Sequence, residues 1–167
     1  MSRLRCYLGF IVFLLVFVPC LAIPTSAASC TSCPSATLSS EEQSLWQQIA
    51  VARADAGLAS LSMDAASISL ARARSADMAQ RHYFGHTSST GTTFLDMMPN
   101  YGLTGQFAGE TIQRNNYADS PREAARGLIA SPEHHAILFD AMYQIGGVGS
   151  AVSDDGIHYF TIIVIQP

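Results

Sequence analysis

The chain contains no lysine; all nine of its basic residues are arginine. No basic run with interleaved aromatics occurs anywhere along it. That excludes the electrostatic footprint expected of a nucleic-acid binder or of a domain that docks on an anionic membrane. Tryptophan is nearly absent, with Trp46 alone. No G-x-S-x-G stretch exists, so the strained elbow that exposes a serine nucleophile is missing. No internal repeat is visible, which removes solenoids and propellers. Beyond residue 28 there is no long apolar run, and only two cysteines, Cys30 and Cys33, remain.

The one long apolar run lies at the start. Arg3 and Arg5 precede Cys6 to Ile23, and the small residues Pro24-Thr-Ser-Ala-Ala28 follow. A positive start, an apolar centre and a small-residue end make residues 1–28 a secretory signal peptide, cleaved after Ala28. The run is also long enough to serve as an uncleaved membrane anchor. Removing it takes two arginines and no acidic residue, so the mature balance is −6. Residues 29–39 are a tether of Ser, Thr and Pro with few large apolar side chains. Cys30 and Cys33 have C-x-x-C spacing, but no strand precedes them as in a redox motif. A local disulfide, or lipid attachment at Cys30, are the other readings. A zinc half-site would need a partner pair that is missing.

From residue 40 the punctuation is regular. Ser40-Glu-Glu-Gln43 has the pattern of a capping box. It predicts a helix to about Ala56, with Leu45, Trp46, Ile49 and Ala52 on one face and Gly57 as its stop. Asp64 caps a second helix from Ala65 to about His82. Its stripe is Ile68, Ala71, Met78 and Ala79, with Ser75 small enough to sit in the same face. Gly85 closes that region. A short helix spans Thr93 to Met98. Residues 103–118 read as loop, with a short strand from Glu110 to Gln113. Ser120-Pro-Arg-Glu123 is a second capping-box pattern, opening a helix to about Ala130. Ser131 and Pro132 open another, with Ile137, Leu138 and Ala141 on one face. Residues 144–152 and 157–165 are strands joined by the turn signal Asp154-Asp155-Gly156. Helices first and an antiparallel hairpin last predict an α+β fold with helices on a sheet.

Candidate chemistry rests on five histidines and one glutamate. His82 and His86 are four apart, yet Gly85 between them argues against a shared helix face. His134 and His135 are adjacent, so on a helix they diverge by about 100° and at most one reaches a shared pocket. His134 falls in the first turn of its helix, where the positive end favours neutral imidazole, the metal-binding form. Glu110 follows Gly109 in a stretch with few other charges. With two histidines from distant loops it would complete the two-His-one-carboxylate set that zinc favours.

Four short motifs in order resemble the CAP superfamily (the cysteine-rich secretory, antigen 5 and pathogenesis-related group) in its bacterial secreted branch. They are Phe84-Gly-His86-Thr-Ser88-Ser-Thr-Gly91 with Phe94 and Asp96, then Gly109-Glu110-Thr-Ile112, then Ser131-Pro-Glu-His134, then Ile145-Gly-Gly-Val-Gly149. The likeness runs over roughly residues 42–166 and places an SCP-like CAP domain at 40–167. The resemblance implies an α–β–α sandwich with a central antiparallel sheet. It also implies a cleft holding His86, Glu110 and His134, which in many members binds a divalent metal such as zinc. The chain departs from the family pattern in several places. Thr111 stands for the usual Asn, Glu133 for Gly, His135 for Arg, and Leu128 where Trp is common. The position of a second cleft glutamate is taken by Ser131, with Glu133 and Glu123 as the nearby carboxylates. One extra glycine, 146 or 147, would be a bulge.

Three functions follow as expectations. The first is a secreted domain, not a conventional enzyme, whose His/Glu cleft holds a divalent metal or a small extracellular ligand. The second is a metal-dependent hydrolase, such as a peptidase, with Glu110 as general base. The third is a module for lipid or an envelope partner. No nucleic acid is expected, and membrane association only through an uncleaved N-terminal segment or a lipid on Cys30. N-terminal sequencing of the exported product is expected to read from Ser29; a product beginning at Met1 overturns the signal-peptide reading.

Overall fold

The structure is a computed structural model that describes residues 37–105 and 107–167. The signal peptide, both mature cysteines and most of the tether lie outside the described residues. Ten elements follow in order. They are α1 (Ser40–Asp55), β1 (Ser62–Met63), α2 (Ala65–Arg81), α3 (Phe94–Met97) with a 3-10 turn at Met98–Tyr101, β2 (Phe107–Asn115), α4 (Ser120–Ala130), α5 (Pro132–Leu138), β3 (Ile145–Val152) and β4 (His158–Gln166). Among the described residues, no helix is long and apolar enough to cross a membrane.

The sheet has the order β1-β3-β4-β2. The β2–β4 and β3–β4 ladders are antiparallel; the two-residue β1 adds a short parallel pairing to β3. The β3–β4 register runs unbroken from Ile145↔Ile165 to Val152↔His158, so neither Gly146 nor Gly147 is a bulge. β4 lies between two strands and is buried from Tyr159 to Ile165, hence its nearly continuous apolar run. Successive side chains of a strand alternate faces. Phe160, Ile162 and Val164 therefore join Leu45, Trp46, Ile49, Leu128 and Leu138 from α1, α4 and α5. Ile163 and Ile165 join Leu70 and Ala71 of α2 on the other face. The result is the expected α–β–α sandwich.

Helix starts differ from expectation in detail. The capping box of α1 belongs to Ser39 and Glu42: the Glu42 amide donates to Ser39 Oγ (3.2 Å), and the Ser39 amide to Glu42 Oε2 (2.8 Å). Glu42 is needed inside as well, where it accepts from Arg72 Nε at 2.8 Å and from the Ser150 amide at 3.2 Å. Burial pushes its carboxyl up, but these bonds outweigh that and hold it below the ordinary value. The start of α4 is not a capping box. Asp119 is the N-cap and makes no side-chain cap bond, while Ser120 Oγ donates to Asn115 Oδ1 at 2.7 Å. α2 ends at Arg81 with His82 as its C-cap, close to the expected end, and His82 takes the left-handed conformation (φ 51°). Residues 107–115, expected to be mostly loop, form a full nine-residue strand. Its first half lacks apolar alternation because Gly109 and Glu110 answer to neighbours, not to a solvent face.

Two glycines of β3 set the depth of α2. A Cβ on Gly147 would lie 2.2 Å from the amide nitrogen of Ile68, and one on Gly149 2.2 Å from that of Arg72. The helix backbone thus rests directly on the strand, and Ser75 Oγ reaches Gly149 O (3.0 Å) and Thr161 Oγ1 (2.9 Å). Gly149→Ala is expected to cost roughly 3 kcal/mol in urea unfolding, because packed backbone must move. Gly85→Ala, whose added Cβ would come no nearer than 3.8 Å to another atom, is expected to stay within about 0.5 kcal/mol.

Candidate functional site

α2 carries an arginine on the face that meets the sheet. The side chains of Arg74 and Glu110 have no exposed surface. Arg74 Nε donates to Glu110 Oε1 at 2.7 Å, and Arg74 Nη2 lies 3.5 Å from Oε2. The same guanidinium donates to Tyr83 Oη (2.9 Å) and to the carbonyl of Gly85 (2.9 Å). Tyr83 in turn donates to Asp77 Oδ2 at 2.6 Å. Burial, and then that bond to Asp77, push the Tyr83 phenol above its ordinary value. Three polar groups around one buried cation, the Glu110 carboxylate, Tyr83 Oη and the Gly85 carbonyl, satisfy donors that would otherwise be costly to bury.

His86 sits on the loop after α2. Its Nδ1 is 2.7 Å from Glu110 Oε2, and its side chain is 54% exposed. The loop is held by the Thr87–Thr93 bridge and by Ser88 Oγ, which accepts from the Thr92 amide at 3.0 Å. Thr93 and Asp96 form a reciprocal cap on α3, which anchors the far end. β2 is an edge strand. His86 thus meets Glu110 at the free side of the sheet, where α5 arrives from the opposite layer.

α5 starts as expected, with Ser131 Oγ accepting from the His134 amide at 3.4 Å. Its position follows from close contacts. Gly109 leaves room for Ile137, 2.7 Å from where a Cβ would stand. The buried Arg53 of α1 donates to the carbonyls of Leu138 and Asp140. His134 thereby comes beside His86, with ring centroids 6.5 Å apart and planes inclined by 57°. His135 diverges and stacks on Phe139 at 4.0 Å.

Of the expected set, His86 and Glu110 are in contact and His86 faces His134. Glu110 is not the open loop carboxylate the sequence suggested; it is a buried strand residue with both oxygens engaged. Ser131 stays a cap. Glu133 accepts from Ser131 Oγ (3.0 Å) and Glu123 pairs with Arg126, so neither adds a carboxylate to the cleft through these bonds. His158 lies 2.9 Å from Glu41, away from the site. His82 pairs with Asp154 at 3.2 Å on the β3–β4 turn. Among the described residues, His82, Asp154 and Asp155 are the group of three whose ligand atoms lie within 4.8 Å of one another, and all three are exposed. Sequence reasoning missed Arg74 and Tyr83. The signal for Arg74 was its place on α2, beside Ser75 and one turn from Ala71 and Met78, where a charge must find a buried partner.

The His134 imidazole is held below its ordinary value of 6.5, first by burial and then by neighbouring His86, with Glu133 acting the other way. The helix start, which motivated the same expectation, is joined here by these two causes. The unfolded chain takes a proton on His134 near pH 6.5, while the folded chain resists it until the pH is lower. This stability is present above that value and is lost as pH falls through the folded one. His134→Gln should therefore flatten the loss of unfolding free energy between about pH 7.5 and about pH 5, read by urea unfolding. An unchanged slope would contradict a half-buried, neutral His134.

Comparison with known proteins bears on the family and the fold. Residues 46–165 match the model of the cysteine-rich secretory protein (CAP) family. The uncharacterized protein YkwD of Bacillus subtilis is 31% identical over 119 residues, 71% of this chain and 45% of its own length. The chain thus spans less than half of that relative. A solved extracellular protein containing an SCP domain, from Bacillus anthracis, superposes with a TM-score of 0.65 at 25% identity, over 76% of this chain and 40% of that one. An outer surface protein of Borrelia burgdorferi shares the fold, with a TM-score of 0.68 at 18% identity, over 76% of this chain and 93% of that one. With a family match that spans most of the chain and both His motifs at the free side of β2, the protein belongs to the CAP (cysteine-rich secretory protein) family.

Proposed function

We propose that this is an exported CAP domain whose His86–His134 cleft binds a divalent metal such as zinc or a small extracellular ligand, with Glu110 orienting His86. The observation that carries this reading is the 2.7 Å contact between Glu110 Oε2 and His86 Nδ1. A carboxylate behind a histidine is the arrangement that orients a ligating ring from outside the ligand set. It leaves His86 Nε2 for the cleft, beside a second imidazole disposed to stay neutral. Imidazole nitrogens suit zinc and other borderline metals. The donor set therefore fits such an ion through His86 and His134, with the remaining positions left to solvent or ligand. Bound there, a metal would supply Lewis acidity and a more acidic water.

Glu110 fits the role of general base poorly, because its side chain has no exposed surface and Arg74 and His86 occupy both oxygens. The hydrolase reading thus lacks an open carboxylate. The lipid or envelope-partner reading has no specific contact in its favour. Export is supported by the N-terminal segment and by relatives described as an extracellular protein and an outer surface protein.

Calorimetric titration of the mature chain with zinc is the direct test. Saturable binding is expected in the wild type, weakened at least about tenfold in His86→Ala/His134→Ala, as loss of ligands requires. A wild-type chain that shows no saturable heat overturns the metal reading.

A further inference from the structure

We propose that His82, Asp154 and Asp155 form a second metal site, outside the cleft, at which a divalent cation such as zinc clips the end of α2 to the turn between β3 and β4. His82 Nε2 lies 3.2 Å from Asp154 Oδ1, and the ligand atoms of all three residues lie within 4.8 Å of one another. Donor atoms of a tetrahedral zinc stand about 2.0–2.2 Å from the ion, so each of these exposed side chains has to draw in by less than about 1 Å. One imidazole and two carboxylates make a mixed donor set that suits zinc or manganese and leaves a further position to water.

Two independent observations favour a cation here. The first is charge. Among the described residues neither aspartate pairs with an arginine, because the nearby arginines are committed elsewhere. Arg81 pairs with Asp77 at 2.7 Å, and Arg114 lies over the Phe84 ring, 5.1 Å from its centroid. The site also stands at the C-terminal end of α2, a helix of 17 residues, where the helix dipole adds negative potential. The second observation is space. A cavity of about 380 Å³ adjoins the cluster, with His82, Asp155, Arg114, Asn115 and Asn116 among its walls. It gives a bound ion room for its remaining water ligands.

Both halves of the site are held in place. The Ser153 amide donates to the Ile157 carbonyl (2.9 Å), the Gly156 amide to the Ser153 carbonyl (3.0 Å), and Ser153 Oγ to Asp155 Oδ1. His82 is the C-cap of α2, and its amide donates to the Met78 carbonyl. The unfolded chain does not bring these residues together, so an ion bound here stabilises the folded state by mass action. Its donors are exposed and must draw together, so this is the weaker of the two proposed sites.

The proposal does not depend on the cleft, and the test keeps the two apart. Zinc is titrated into the 15N-labelled mature His86→Ala/His134→Ala protein and followed by backbone-amide NMR, which also separates any response of Cys30 and Cys33. Saturable shifts are expected at His82 and across residues 153–156. Adding His82→Gly is expected to weaken them at least about tenfold. Glycine is at home in the left-handed C-cap conformation, so this variant removes the imidazole and keeps the helix end. Zinc is also expected to raise the urea midpoint of the His86→Ala/His134→Ala protein, and the rise should vanish with His82→Gly. No saturable shift at the turn overturns the proposal, as does a response that His82→Gly leaves unchanged. If the double variant does not fold, the same residues are followed in the wild type with and without His82→Gly. Shifts at the turn with none at His86 and His134 support this site and remove the metal reading of the cleft; the reverse pattern overturns this site alone.

Discussion

Arg74 and Glu110 form an ion pair from which water is excluded on both sides, since neither side chain has exposed surface. Such a pair is costly to assemble. Each ion gives up several kcal/mol of hydration, and the mutual attraction offsets this only when the remaining hydrogen-bonding groups are satisfied. Here they are satisfied by Tyr83, by the Gly85 carbonyl and by His86. Once assembled, the pair is hard to break from one side: removing one partner of a buried pair costs about 3–5 kcal/mol. An interaction of this kind adds little net stability compared with apolar packing, but it leaves few alternatives for the loop that carries His86. Helix α2, strand β2 and that loop are tied at one point.

The pair can exist only because α2 lies very close to the sheet. Glycines 147 and 149 remove the side chains that would otherwise hold the helix off β3. Ser75, in the middle of the buried stripe, then bonds to the strand instead of keeping a distance from it. On the opposite face the same economy recurs. Gly109 admits Ile137 of α5, and Gly146 lies under Trp46 of α1. The two layers are thus set against one sheet by small residues. At the free side of β2 a residue from each layer meets: His86 from the α2 side and His134 from α5. The two imidazoles come from elements of different layers and meet side by side, so their approach is a property of the sandwich.

Much of this was legible in the order of residues. The stripes of α1 and α2 and the cap of α5 were written in periodicity and punctuation. So was the hairpin, where Asp154-Asp155-Gly156 separates two apolar runs. Strand β2 was harder to read. Gly109 and Glu110 look like loop residues because one makes room for Ile137 and the other neutralises Arg74. Neither need is local. The start of α4 misled for a similar reason: Ser120 has the identity of a cap, but its hydroxyl is drawn to Asn115 at the end of β2. Glu110 was read as an open carboxylate in a loop, whereas its carboxylate is inside the fold, bonded to Arg74 and His86.

The sequence by itself determined most of the helices, the closing hairpin and the family, because spacing, caps and short motifs act over a few residues. The tertiary structure alone decided what those residues are to one another. It turned Glu110 from a free carboxylate into the buried partner of Arg74 and His86, sent His135 onto Phe139, and brought His134 beside His86 across more than forty residues of chain. The physical reason is that burial and ion pairing depend on which groups exclude water from one another. No local pattern encodes that until the layers have closed.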